Sequence, residues 1–252
     1  MGHNPPWLLV GLGNPGPQYA RNRHNVGFMA VDAWCEQFMP PPIWREKWNA
    51  HVTTARLLGI RCEVLKPQTY MNRSGLCVVQ AARYSRIPPQ QILVVHDEID
   101  FPPGRLAVKK GGGHGGHNGL RDIIQQLGTR EFLRIRLGVG RPPGKTEVSQ
   151  YVLADFSTQD QRVLPELLEQ AARAISCVIK DGVATAMNQF NQLPRKASTQ
   201  APSAKTSSKT SSKASSKTSQ QSPVSEPGAA AARETSSDDL PAPARSQDAN
   251  KE

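Results

Sequence analysis

Two short apolar runs, at residues 7–11 and 92–96, and a segment at 133–138 that alternates apolar and basic residues as a strand does, are separated along the chain by longer segments whose apolar residues recur at helical spacing. Runs of that length that are apolar on both faces fit strands buried in the middle of a sheet, and helices between them are needed to cover its two sides. The first helical pattern, 26–38, places Phe28, Met29, Val31, Ala33, Trp34 and Phe38 at helix-like intervals and stops at Pro40, Pro41 and Pro42. Segments 50–58 and 61–66 read as a hairpin turning at Leu58-Gly59-Ile60-Arg61, and a helical pattern follows Asn72 as far as Arg86. A short strand at 106–109 leads into the glycine run 111–116, and Asn118 opens a helix carrying Leu120, Ile123, Ile124 and Leu127. An amphipathic helix at 159–181 and a last one at 184–190 complete the pattern. The expectation is an α/β fold: one three-layer domain with a mixed, mostly parallel twisted sheet flanked by helices.

Large apolar side chains almost cease at Pro194, which confines the fold to about residues 1–194 of 252. Residues 195–252 are rich in Ser, Thr, Ala and Lys, with Lys205, Lys209, Lys213 and Lys217 evenly spaced. Such a tail cannot bury enough apolar surface to offset its ordering entropy, so it reads as disordered. Of the net charge of +10, the first 194 residues carry +7. A basic globular part suits a polyanionic partner such as RNA. Cys35, Cys62, Cys77 and Cys177 are scattered, without a C-x-x-C pair, as expected of free thiols in a reducing compartment. No apolar run reaches membrane-spanning length and the first residues lack a signal-peptide pattern, so a soluble cytoplasmic protein with no membrane contact is expected.

Gly11, Gly13 and Gly16 follow the first apolar run with the G-x-G-x-x-G spacing of a dinucleotide-binding turn. The surroundings contradict that reading. The acidic residues at about the right distance, Asp32 and Glu36, fall inside a helical pattern instead of closing a second strand. Pro15 and Pro17 also remove backbone donors where a pyrophosphate would need them. The glycines therefore read as turn residues at a strand end, and no cofactor is expected. Asn14, His24, Asn72 and Asp97 all stand near strand ends or helix starts, where α/β sheets commonly carry their active sites.

At Gly11-Leu12-Gly13-Asn14-Pro15-Gly16, Tyr19, Arg23-His24-Asn25, Thr69-Tyr70-Met71-Asn72, His96-Asp97-Glu98 and the glycine-rich stretch 111–119, the chain closely resembles bacterial peptidyl-tRNA hydrolases, over about residues 7–190. The resemblance implies a monomeric hydrolase that cleaves the ester between a peptide and the 3′ end of tRNA on peptidyl-tRNAs dropped from or stalled on the ribosome. The ribosome or its 50S subunit is a further candidate partner. The alternative is a catalytically silent RNA-binding relative of the kind that serves intron splicing in organelles. A nucleotide-dependent enzyme is a third possibility.

Hydrolysis of that ester needs water made nucleophilic near neutral pH, and histidine is the side chain suited to accept its proton. His24 is the candidate base. The resemblance assigns Asp97 to orient the imidazole, Asn14 to contact the scissile carbonyl or its neighbouring amide, and Tyr19, Tyr70, Met71, Asn72, His117 and Asn118 to the substrate or attacking water. It also assigns Lys109 and Arg136 to a clamp on the tRNA 5′ phosphate. Capping roles for Asn72 and Asn118 are compatible with this. No G-x-S-x-G elbow is present and no cysteine lies in a matched motif, so direct attack by water is expected. His114 and His117 lack a neighbouring carboxylate or thiol within their motif, and no metal is expected. The tail reads either as a source of nonspecific attraction to tRNA or ribosomes or as a neutral extension.

Overall fold

The computed structural model describes residues 5–192; the tail assigned to 195–252 lies outside the described residues. The elements in chain order are β1 (Trp7–Gly11), α1 (Val26–Cys35), β2 (Arg45–Lys47), β3 (Ala50–Leu57), β4 (Ile60–Pro67), α2 (Ser74–Tyr84), β5 (Ile92–Glu98), β6 (Leu106–Lys110), α3 (Asn118–Leu127), β7 (Leu133–Gly138), α4 (Val148–Val152), α5 (Thr158–Asp181) and α6 (Val183–Phe190). The strands form one sheet in the order β2-β3-β4-β1-β5-β7-β6. Its centre, β4-β1-β5-β7, is parallel, and the hairpin β3–β4 and the pairs β2–β3 and β6–β7 are antiparallel.

The two-residue side-chain period of a strand divides the core cleanly. Leu9, Leu93 and Val95 pack with α1, α5 and α6, whereas Leu8, Val10, Ile92 and Val94 pack with α2 and α3. Burial on both faces is why β1 and β5 read as unbroken apolar runs. The three-layer α/β arrangement is thus the expected one.

Two elements had no legible signal. β2 is three charged residues long and exposed, and α4 has only five residues, too few for either periodicity to register. Helix α1 ends at Cys35, short of the pattern that extends to Phe38; Phe38 is held by a backbone bond to the Cys35 carbonyl. The hairpin turn is Leu58-Gly59, both with positive φ (49° and 83°), a two-residue loop set one position earlier than the spacing suggested.

The strand-end glycines prove to be mainly packing residues. A Cβ on Gly11 would lie 2.5 Å from the Gly27 carbonyl oxygen, and one on Gly13 would lie 2.7 Å from the Phe28 ring. Both let α1 approach the end of β1. Gly16, at φ 105°, supplies the turn itself.

Candidate active site

The parallel strands β1 and β5 end side by side, and the short helical turn at Arg23–Asn25 lies across them. That arrangement gathers residues far apart in sequence. His24 donates from Nδ1 to Asp97 Oδ1 at 2.8 Å, and both residues are buried. His117 reaches the same oxygen from Nε2 at 3.0 Å. The other nitrogen of His117, Nδ1, accepts the backbone N–H groups of Gly119 and Leu120, so this side chain caps α3. Those two bonds fix its tautomer: Nδ1 carries the lone pair, Nε2 carries the proton. By the same logic His24, donating through Nδ1, keeps a lone pair on Nε2.

Burial disfavours a charge on His24, but the Asp97 carboxylate and its hydrogen bond outweigh that, and the pKa is raised above 6.5. Burial also works against the Asp97 charge, and His24 and His117 together hold it well below the usual carboxylate range. His96, whose ring stands edge-on to His117 with centroids 5.0 Å apart, is held neutral by burial and then by repulsion from His117.

Asn14 sits on the neighbouring strand end, 5% exposed. Its Oδ1 accepts the Met71 N–H at 2.8 Å, while Asn25 clasps its backbone from both sides, accepting from Asn14 N and donating to Asn14 O, each at 2.9 Å. With Oδ1 occupied, the side chain offers its amide N–H groups. Asn72 is exposed on the turn Met71–Arg73, and Asn118 is exposed at the start of α3. Neither caps its helix: α3 is capped by His117, and α2 has no side-chain cap. Met71 is 5% exposed and packs in the core, and its contact with Asn14 is through its backbone N–H. Tyr70 is 62% exposed, and Tyr19 lies half-buried on the turn Pro17–Tyr19.

Beside the His24–Asp97 pair opens a cleft of about 460 Å³ whose lining includes His96, the glycine stretch 113–116, Lys109, Arg136 and one face of α4. Arg136 is paired with Glu98 at 2.8 Å and lies over the Phe101 ring. Lys109 has no carboxylate partner among the described residues. Arg134, on the same face of β7 as Arg136, donates to the carbonyls of Gly112 and Gly113 and so holds the glycine loop in place. Its role was legible only in part, since alternation puts Arg134 and Arg136 on one face without saying which reaches the loop.

His24, Asp97 and His117 present ligand atoms within 4.8 Å of one another. The donor set does not fit a cation, because both ring nitrogens of His117 are engaged and its Nε2 gives its proton to Asp97. The four thiols are buried, and burial pushes Cys35 up to about 12 and Cys62 to about 11, far from a reactive thiolate.

The family model of peptidyl-tRNA hydrolase matches residues 8–200, which include every element of this site. The chain belongs to the peptidyl-tRNA hydrolase family. A peptidyl-tRNA hydrolase of Syntrophotalea carbinolica is 48% identical over 184 residues, 73% of this chain and 96% of that protein. One of Bartonella henselae is 45% identical over 194 residues, 77% of this chain and all of its own. Among solved structures, the crystal structure of peptidyl-tRNA hydrolase from Acinetobacter baumannii superposes with a TM-score of 0.70 at 37% identity, covering 76% of this chain and 97% of that one. The relatives match nearly end to end, and residues 201–252 lie beyond the matched family region.

Proposed function

We propose that this chain hydrolyses the ester joining a peptide to the 3′ end of tRNA, with His24 as general base. The observation that carries the reading is the buried His24–Asp97–His117 cluster, in which His24 lines the cleft and the tautomers leave its Nε2 unprotonated. Water gives a proton to His24 Nε2 as its oxygen adds to the ester carbonyl. Asp97 holds the imidazolium so formed, and the Asn14 amide donates to the developing oxyanion or to the neighbouring peptide group. When the tetrahedral intermediate collapses, the bond from carbonyl carbon to ribose 3′ oxygen breaks and His24 returns the proton to that oxygen. The products are a free peptide carboxylate, whose acid proton passes to solvent, and tRNA with an intact 3′ hydroxyl.

Asn72, Asn118, Tyr70 and Tyr19 are assigned to the peptide, the attacking water or the acceptor end. Lys109 and Arg136 are assigned to tRNA phosphate, for which a planar guanidinium and a compact ammonium are both suited. Phosphate contacts of this kind give affinity with little sequence reading, as an enzyme acting on many tRNAs requires. The protein acts as a cytoplasmic monomer, with the 50S ribosomal subunit as an additional partner, and residues 1–194 form the catalytic domain.

The test is release of the acylated amino acid from N-acetyl-aminoacyl-tRNA by the purified protein, with and without a chelator. Cleavage that survives the chelator and is lost in His24→Ala, with tRNA affinity retained, supports the reading. Binding without cleavage by the wild type would move the chain to a silent RNA-binding role.

A further inference from the structure

Arg23 immediately precedes the candidate base and is itself only 6% exposed, yet the chemistry above gives it no part. All its polar contacts go to one stretch of chain. Its Nη1 donates to the Asp155 carbonyl at 2.6 Å, with the Ala154 and Tyr151 carbonyls at 3.3 and 3.5 Å. Its Nη2 pairs with Asp160 at 3.1 Å, and the guanidinium lies 4.2 Å above the centre of the Tyr151 ring. The backbone repeats the attachment: Arg23 N donates to the Ala154 carbonyl, and the Asn22 side chain to the Leu153 carbonyl.

The stretch so gripped runs from Tyr151 in α4 to Asp160 in α5, and Val148, Ser149 and Val152 of α4 line the same cleft as His24. α4 is in turn tied to the end of β7 by a bond from the Tyr151 hydroxyl to the Val139 carbonyl. An anchor serving stability alone could stand anywhere in the core. This one joins the turn that carries the base to the wall the substrate must pass.

We infer that Arg23 is a positioning residue, which fixes the His24 imidazole relative to the α4 wall of the cleft by bolting its turn to residues 151–160. The inference rests on the assignment of His24 as base. Arg23 acts through His24 and α4, and touches neither water nor ester. A planar fork is required, because one group must satisfy several carbonyls and a carboxylate at once while stacking on a ring. Lysine at this position keeps the charge facing Asp160 and loses the fork.

The experiment compares wild type, Arg23→Lys and the milder Asp160→Asn by melting temperature, by kcat and KM on N-acetyl-aminoacyl-tRNA, and by the NMR signals of the histidine rings. In Arg23→Lys, kcat falls about tenfold or more at temperatures where the variant is fully folded, with KM little changed, since misplacing a base costs rate more than binding. The His24 ring signals broaden or split while those of His51, remote from the cleft, stay as they are. Asp160→Asn shows the same changes in smaller degree and covers the case in which Arg23→Lys does not fold. A lower melting temperature with unchanged kcat and unchanged His24 signals in either folded variant overturns the inference. Should the wild type fail to hydrolyse the substrate, the ring signals still decide the positioning role, and only the proposed reaction falls.

Discussion

At the scale of single residues, the site is a problem of proton placement. Asp97 Oδ1 accepts from two imidazoles, one held by its own helix cap and the other left with a free lone pair, so the two histidines are chemically unlike although they meet the same oxygen. The sign of the pH dependence follows. As the proposed base His24 acts when neutral, and its pKa is raised above 6.5, so kcat/KM is expected to climb with pH and level off only above that raised value. In Asp97→Asn the attracting charge is gone and burial remains. The midpoint then drops below 6.5, while the plateau falls by about 10²–10⁴-fold because orientation and imidazolium stabilisation are lost. A pH–rate profile of the two proteins checks both effects, and an unmoved midpoint would separate His24 from Asp97. The sequence made His24, Asp97 and Asn14 visible because each stands in a motif at a strand end. It could not show that Asn25 clasps Asn14, or that His117 rather than Asn118 caps α3, because caps one residue apart are indistinguishable until the chain direction at the helix start is fixed.

At the scale of elements, α3 and α1 carry the consequences. His117 both caps α3 and donates to Asp97, and two substitutions separate the roles. His117→Ala loses both, whereas His117→Ser restores a capping oxygen that is too short to reach the carboxylate. Denaturant unfolding is expected to find the serine variant more stable by about 1 kcal/mol, with the two sharing the same loss of kcat. Helix α1 lies so close to β1 that a Cβ on Gly27 would overlap the Val95 carbonyl oxygen and the Leu12 backbone. Gly27→Ala should therefore lower stability by about 1–3 kcal/mol or more, since backbone cannot move aside as a side chain can. Gly113→Ala, where nothing lies within 4 Å, should change it by less than about 0.5 kcal/mol. Both are read from midpoints of urea unfolding. The long, periodic elements were legible because their burial pattern is written in the residue order. β2 and α4 were not, since they exist through their neighbours: β2 through pairing with β3, and α4 through the grip of Arg23 and the Tyr151 hydroxyl.

At the scale of the whole molecule, charge governs the encounter with tRNA. Replacing Lys109 and Arg136 together by alanine should weaken binding and reduce the slope of log affinity against log salt by about 1–2, one phosphate contact per cation. Because Glu98 already neutralises part of Arg136, Lys109→Ala alone should account for more than half of that change, which salt titrations of the single variants measure. Deleting residues 196–252, with their evenly spaced lysines, should lower affinity at low salt and leave hydrolysis at saturating substrate unaltered. What the sequence determined by itself was the three-layer arrangement and the strand-end location of the polar motifs, both of which depend on local periodicity. Only the tertiary structure decided which of those polar groups meet. Residues 24, 97 and 117 converge on one cleft, and residues 14 and 71 meet each other, because parallel strand ends and a helix start are brought together by the packing of α1 and α3 against the sheet, which no local pattern encodes.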